Sequence, residues 1–203
     1  MPSPQVPLQV FDRLPAYLRA VGVEASTEQL RLFRIHYDLL VRWNRKINLT
    51  AIREPEDILR RHFAESAFVT RLLKLGRGTL IDVGSGAGFP GVPIKIMSPE
   101  TRVILVESVQ KKAAFLKEVA RELGLPGLDV FAGRLEAIDM TADWVTMRAV
   151  RADEQLLQTI GKTVPRGTSA FLLSAKDAPA LGPGWTYHPV PTNESSVVAI
   201  RST

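Results

Sequence analysis

The 203-residue chain contains no cysteine. That absence excludes disulfides, thiolate metal sites and cysteine nucleophiles together. It also excludes any enzyme that activates a pyrimidine ring by thiolate attack. Histidine is scarce: His36, His62 and His188 are the three. They stand too far apart to spell a zinc motif, so no metal site is expected. No apolar run approaches the ~20 residues of a membrane span. Met1–Val10 carries neither the basic start nor the apolar stretch of a signal peptide. Internal repeats and low-complexity tracts are absent too. The expectation is a cytoplasmic, monomeric protein without membrane contact.

What is present is an ordinary globular composition, 45% hydrophobic and 23% charged, which excludes disorder and coiled coil as whole-chain readings. The net charge of +5 is unevenly placed. Residues 1–78 hold 13 Lys and Arg against 8 Asp and Glu, whereas residues 79–203 hold 13 of each. The whole surplus therefore sits in the N-terminal third, as in a polyanion-binding extension beside a neutral core; a solvated helix surface is the alternative.

The hydrophobic period changes at the same boundary. Residues 1–78 read as a basic helical region: Leu8–Val21 is apolar at helical spacing, and Thr27 is expected to cap a helix running to about Trp43. Pro55 fits the first turn of another helix, and a further short one is expected to end at Gly76–Gly78. Residues 79–203 alternate short apolar runs with helical stretches, the last of these spanning Ala152–Val164. That alternation predicts a parallel sheet with helices on both faces. The final two runs, Trp185–Val190 and Ser196–Ile200, have only a short polar link, which permits an antiparallel hairpin but no crossover. The predicted fold is α/β: Rossmann-like, with a seven-stranded, mostly parallel sheet and an N-terminal helical extension.

The strongest local signal is Ile81-Asp82-Val83-Gly84-Ser85-Gly86-Ala87-Gly88-Phe89-Pro90-Gly91, which follows a strand and opens a helix. In open parallel sheets ligands bind at the carboxyl ends of the strands. Glu107 ends the next strand, at the distance expected of an acid that takes ribose hydroxyls. The acid before the glycines opposes a pyrophosphate and suits a cofactor bearing an ammonium group, directly or through water. S-adenosylmethionine has that group and no phosphate. A dinucleotide, or a glycine-rich turn with no ligand, are the alternatives. No Gly-Lys-[Ser/Thr] follows, so triphosphate hydrolysis is disfavoured.

Motifs in one order then carry a resemblance. Trp43-Asn44, Asn48-Leu49-Thr50, Arg61-His62-Phe63 with Ser66, the glycine loop and Arg148-Ala149 together resemble the bacterial small-subunit rRNA guanine-N7 methyltransferases, the RsmG or glucose-inhibited division protein B family. The resemblance runs from about Phe33 to Val150. It implies a class I S-adenosylmethionine-dependent fold and methylation of N7 of a guanine in the decoding-region hairpin of 16S rRNA, free or in the small ribosomal subunit. It implies cofactor contacts at Gly84, Gly86 and Phe89, an acid at Glu107, an adenine-side contact at Leu135 and Glu136, and a cofactor-site arginine at Arg148. Asp82 and Gly88 complete the expected cofactor set. This chain departs from the family pattern in Met147 before Arg148 and in Ala64-Glu65, where Leu-Asp is usual.

Guanine N7 carries a lone pair and no proton, so attack from it needs no general base. No catalytic residue is therefore expected; Arg148 is the nearest candidate, through a phosphate, a guanine edge or a cofactor carboxylate. His62 is expected to pack at the junction of the two regions, and Trp43 in the core rather than against a base. Asn44 and Asn48 are expected to order the loop that follows their helix. The expected phosphate track is Arg42, Arg45, Lys46, Arg53, Arg60 and Arg61. Two other readings stay open: a non-enzymatic RNA-binding protein with a retained cofactor fold, and a small-molecule methyltransferase.

Overall fold

A computed structural model describes residues 8–149 and 153–202. The described residues start with two short helices, α1 (Leu8–Phe11) and α2 (Leu14–Ala20), rather than one. Pro15 lies in the first turn of α2, where its missing N–H is harmless, and could not sit inside a continuous helix. Helix α3 (Thr27–Asn44) is capped by Ser26, not Thr27. Ser26 Oγ accepts from Gln29 N at 3.2 Å, and Gln29 Oε1 accepts from Ser26 N at 2.8 Å. That reciprocal box stabilises the helix start by about 1 kcal/mol.

The next helical stretch changes winding twice. A single turn, α4 (Pro55–Asp57), leads into a π-helical segment, Ile58–Ala64, which continues as α5 (Glu65–Leu72). Every residue from His62 to Val69 is buried. No polar stripe marks its outer face, so helical periodicity could not bound it. Leu73 is already extended, so α5 stops short of Gly76.

Seven strands follow: β1 (Gly78–Val83), β2 (Thr101–Val106), β3 (Leu128–Phe131), β4 (Trp144–Arg148), β5 (Thr168–Ser174), β6 (Thr186–Val190) and β7 (Asn193–Ser202). Their spatial order is β3-β2-β1-β4-β5-β7-β6. The first five pair in parallel, and β7 runs antiparallel between β5 and β6. Between strands lie α6 (Gly91–Met97), α7 (Gln110–Leu123) and α8 (Glu154–Thr163). Ala152, where α8 was expected to begin, lies outside the described residues, as does Val150; Asp153 caps α8 by accepting from Leu156 N. Gly124, at φ 60°, closes α7 in the left-handed conformation that costs glycine least.

Alternation along the strands divides the core. Leu80, Val103 and Leu105 face a layer that includes Phe33, Phe63, Phe115 and Leu116 from the helices. Ile81, Val83, Ile104, Val106, Val145 and Met147 face the layer of α8, with Ile160 and Val164. The basic helical region thus shares one apolar core with the sheet. No helix of the described residues is long and apolar enough to cross a membrane.

Candidate functional site

Parallel register brings the ends of four strands together. Val83 of β1 pairs with Val106 of β2 and Met147 of β4, and Val106 pairs with Phe131 of β3. The residues just beyond them form one edge: the glycine loop, Glu107, the turn at Leu135–Ala137 and Arg148. Order reverses between β2-β1 and β4-β5, so this edge is the topological switch point of the sheet.

Gly84, Gly86 and Gly88 have φ of 65°, 56° and 89°, conformations that favour glycine. A Cβ on Gly88 would stand 2.8 Å from Val92 Cγ2, so that glycine is required by packing. A Cβ on Gly86 would meet only Gly84 O, at 3.7 Å. The Gly86 side of the loop is therefore open and can admit a ligand against the backbone.

Glu107 is buried, and its carboxylate braces that loop. Oε2 accepts from Gly86 N at 2.9 Å and Oε1 from Val109 N at 2.8 Å. Each oxygen keeps a further lone pair for a hydroxyl donor. The open glycine backbone and this acceptor pair fit the ribose end of an adenosyl cofactor.

Asp82 takes a different place. It is fully buried; Oδ1 accepts from Thr146 Oγ1 at 2.9 Å and Oδ2 from Gly91 N at 3.1 Å. Asp82 and Thr146 are cross-strand partners on one face of the sheet, under the start of α6. Burial pushes its carboxyl up to about 7, against the pull of its hydrogen bonds. Complete burial, more than the two contacts, sets it apart from Glu107: Asp82 sits beneath the loop and fixes the start of α6.

A pH-dependent stability follows. The unfolded carboxyl ionises near 3.8 and the folded one near 7. In that window the folded chain holds a proton that the unfolded chain has released, so folding weakens as pH rises through it. In Asp82→Asn, the amide can keep both contacts once the Thr146 hydroxyl turns. Its stability relative to the native chain is expected to grow between about pH 4 and pH 7, then level off. Urea unfolding at several pH values checks this, and a pH-independent difference sinks it.

Phe89 is enclosed by two imidazoles. His62 stacks on one face, with centroids 4.7 Å apart and planes 12° apart, and His36 on the other at 4.9 Å and 29°. The ring has no free face for a ligand, so any contact from Phe89 comes from its edge or backbone. His36 is fully buried and Nε2 donates to Ala87 O at 2.9 Å; burial drives its pKa down to about 4. His62 shares a hydrogen bond with Thr50 Oγ1 at 2.8 Å. Burial, followed by the charges of Arg148 and Arg61, holds His62 well below the usual imidazole range. Both rings are neutral at pH 7.

Arg148 Nη2 donates to Glu65 Oε2 at 2.9 Å. Glu65 Oε1 accepts from Asn193 Nδ2 at 2.7 Å. Arg148 Nη1 is buried without a partner among the described residues. Ala149, just after it, has φ 52°, left-handed backbone that is uncommon for alanine. Leu135 is buried in its turn and Glu136 exposed. The sequence reading missed Glu65 as a site residue and had no role for His36. Glu65 stands in a motif with Arg61, His62 and Ser66, which was the available signal; nothing local marks His36.

The expected phosphate track divides. Arg42 pairs with Glu118 of α7, and Arg60 binds Asp57 and Thr192 O. These two guanidiniums already have partners. Arg45, Lys46 and Arg53 are exposed, and Arg61 is half-buried with Nε unpartnered. Trp43 packs edge-on against Phe115 and donates from Nε1 to Glu118. Asn44 does order its loop: Oδ1 accepts from Leu49 N and Thr50 N. Among the described residues Asn48 makes only a long side-chain contact, accepting from Arg53 at 3.4 Å.

Comparison with solved structures shows the same fold. A SAM-dependent methyltransferase from Aquifex aeolicus aligns over 72% of this chain and 92% of its own, at 15% identity and a TM-score of 0.57. A putative RNA methyltransferase from Pyrococcus horikoshii aligns over 83% and 98%, at 16% identity and a TM-score of 0.53. The fold is that of S-adenosylmethionine-dependent methyltransferases.

Sequence comparison is more specific. Proteins named ribosomal RNA small subunit methyltransferase G match at 42% identity in Lachnoclostridium phytofermentans and 39% in Desulfitobacterium hafniense. A "methyltransferase G 1" of Syntrophobacter fumaroxidans matches at 40%. The matches cover 59%, 79% and 84% of this chain, and 50%, 68% and 77% of those proteins. Residues 29–179 match the family model for rRNA small subunit methyltransferase G, a span running from the capping box of α3 through the whole strand edge to the turn after β5. With that span and those identities, the chain belongs to the rRNA small subunit methyltransferase G family.

Proposed function

We propose that the chain transfers a methyl group from S-adenosylmethionine to N7 of a guanine in the decoding-region hairpin of 16S rRNA. The observation that carries this reading is the glycine loop, open at Gly86 and braced by Glu107, in a member of this family. Bound there, the cofactor supplies a methyl group activated by its sulfonium. Glu107 accepts from the ribose hydroxyls, while Gly84 and Gly86 give the backbone its close approach. Leu135 and Glu136 flank the adenine, and Arg148 presents its unpartnered Nη1 to an anionic group of cofactor or RNA. Asp82 and Gly88 hold the loop in shape.

In-line displacement needs the nucleophile aligned with the methyl group, and alignment alone supplies much of the rate. N7 has no proton to lose. His62 is buried with Nε2 held by Thr50 Oγ1, which fits chemistry that asks for no base there.

Arg45, Lys46 and Arg53 form the phosphate track, with Arg61 behind them. Replacing the first three together by glutamine should flatten the slope of log affinity against log salt by about two to three, one counterion per phosphate. Arg42→Gln alone should change it by less than about one, because that arginine already has Glu118. Equal slopes in the triple variant and the native chain would mean that RNA lies elsewhere.

We assign the active form as a cytoplasmic monomer. Among the described residues, only Val109 and Tyr187 are large apolar side chains left exposed, too few for a permanent interface. The functional test incubates the protein with labelled cofactor and small subunits or 16S rRNA, then hydrolyses the RNA to nucleosides. Label is expected in 7-methylguanosine; label in another nucleoside, or none in RNA, overturns the assignment.

A further inference from the structure

We propose that RNA on the loop of residues 44–53 and cofactor at the glycine loop bind cooperatively, with Thr50 as the positioning residue that couples them. This inference rests on the function proposed above and concerns how its two binding events communicate.

The connection runs through contacts with little slack. At the RNA end, Asn44 grips Thr50 from both sides: Oδ1 accepts from Thr50 N at 3.1 Å, and Nδ2 donates to Thr50 O at 3.1 Å. Arg45, Lys46 and Arg53 project from this same loop. Thr50 Oγ1 accepts from Ile52 N at 3.1 Å and shares the 2.8 Å hydrogen bond with His62 Nε2. Among the described residues His62 Nδ1 is buried without a partner, and Thr50 supplies the one hydrogen bond that orients the imidazole.

At the cofactor end, that imidazole lies flat on Phe89. His36 backs the other face of Phe89 and donates to Ala87 O. Ala87 and Phe89 flank Gly88, whose Cβ position is already crowded by Val92 and by His36 Nε2 at 3.2 Å. A displacement of Phe89 therefore has to move the glycine loop itself. Close-packed interiors shift between discrete arrangements rather than deforming smoothly. RNA that fixes the 44–53 loop fixes Thr50, then the His62 ring, then Phe89, and so favours the loop shape that the cofactor needs. By linkage the cofactor favours RNA binding by the same factor.

The test uses S-adenosylhomocysteine, which cannot react, titrated by calorimetry into the full chain with and without a saturating 16S rRNA fragment carrying the decoding-region hairpin. In the native chain RNA should tighten binding by about 5- to 20-fold, within the usual range of such coupling. Thr50→Val keeps the shape and removes the hydroxyl. It should reduce that ratio below about twofold while leaving affinity without RNA within about threefold, as loss of one coupling contact predicts. Thr50→Ser should restore the ratio. His62→Phe, which keeps a stacking ring and lacks the hydrogen bond, should lose it from the other side. A purely structural Thr50 would lower the melting temperature and leave the ratio unchanged, which overturns the proposal. A ratio of one in a native chain that binds both ligands overturns it as well, with the proposed function intact. Failure of the native chain to bind either ligand counts against that function itself.

Discussion

Replacing Glu65 by alanine is expected to destabilise the folded chain by about 3–5 kcal/mol, the usual result of breaking a buried ion pair from one side. Glu65 is completely buried, and its side chain closes the only ion pair that Arg148 makes among the described residues. Burial pushes the Arg148 guanidinium toward losing its charge, and Glu65 opposes that push. Without the carboxylate, a buried cation loses its counter-charge, and Asn193 Nδ2 is left with Ser196 Oγ as its acceptor, at 2.9 Å. Glu65→Gln should recover part of the Asn193 contact but not the charge, and so remain well below the native chain. Ser196→Ala removes a 3.4 Å contact to the same carboxylate and a 2.9 Å hydrogen bond from Asn193 Nδ2, whose Glu65 acceptor stays in place, and should cost about 1 kcal/mol. Urea unfolding of the three variants ranks them. A loss under about 1 kcal/mol in Glu65→Ala would mean that the pair contributes little and that Arg148 is stabilised by something else.

Glu107→Ala should weaken S-adenosylmethionine binding by about a hundredfold or more. Charge-assisted hydrogen bonds to two ribose hydroxyls are worth about 1.5–3 kcal/mol each, and about 1.4 kcal/mol is a tenfold change in affinity. The same substitution frees Gly86 N and Val109 N from their acceptor, so the loop loses its brace together with its ligand contact. Glutamine should rescue little. One of its two terminal groups is an amide nitrogen, which would face a backbone N–H donor in place of an acceptor. Equilibrium dialysis against labelled cofactor measures the loss. Less than a threefold change, with the melting temperature intact, would place the ribose elsewhere.

The parts of this site that depend on neighbours along the chain were legible in the sequence. Gly84, Gly86 and Gly88 follow a β-branched run and precede a helix, and Glu107 ends the next strand. Both patterns are local. The hairpin of β6 and β7 was legible for the same reason, because a short polar link leaves no room for a crossover. Partners far apart in sequence were not. Asp82 read as a group for the cofactor's ammonium because its engagement by Thr146, 64 positions away, leaves no local trace. Phe89 read as a ligand neighbour because the two histidines that sandwich it come from α3 and the π-helical segment. Arg42 and Arg60 read as free cations because Glu118 and Thr192 O are supplied by distant elements. The π-helical winding itself has no periodic signature when a run from His62 to Val69 is buried on all sides.

Calorimetric titration of the native chain and Gly86→Val tests most directly whether the strand edge at β1 and β2 holds S-adenosylmethionine. Valine at φ 56° is strained, by about 1–2 kcal/mol, but beyond its chain neighbours its Cβ meets no atom of the described residues closer than 3.7 Å, so the variant should fold. Its side chain enters the open side of the loop instead. The native chain should bind one S-adenosylmethionine and no measurable NAD, and the folded variant should bind neither. Unchanged S-adenosylmethionine affinity in a folded Gly86→Val, or a native preference for NAD, would contradict the account.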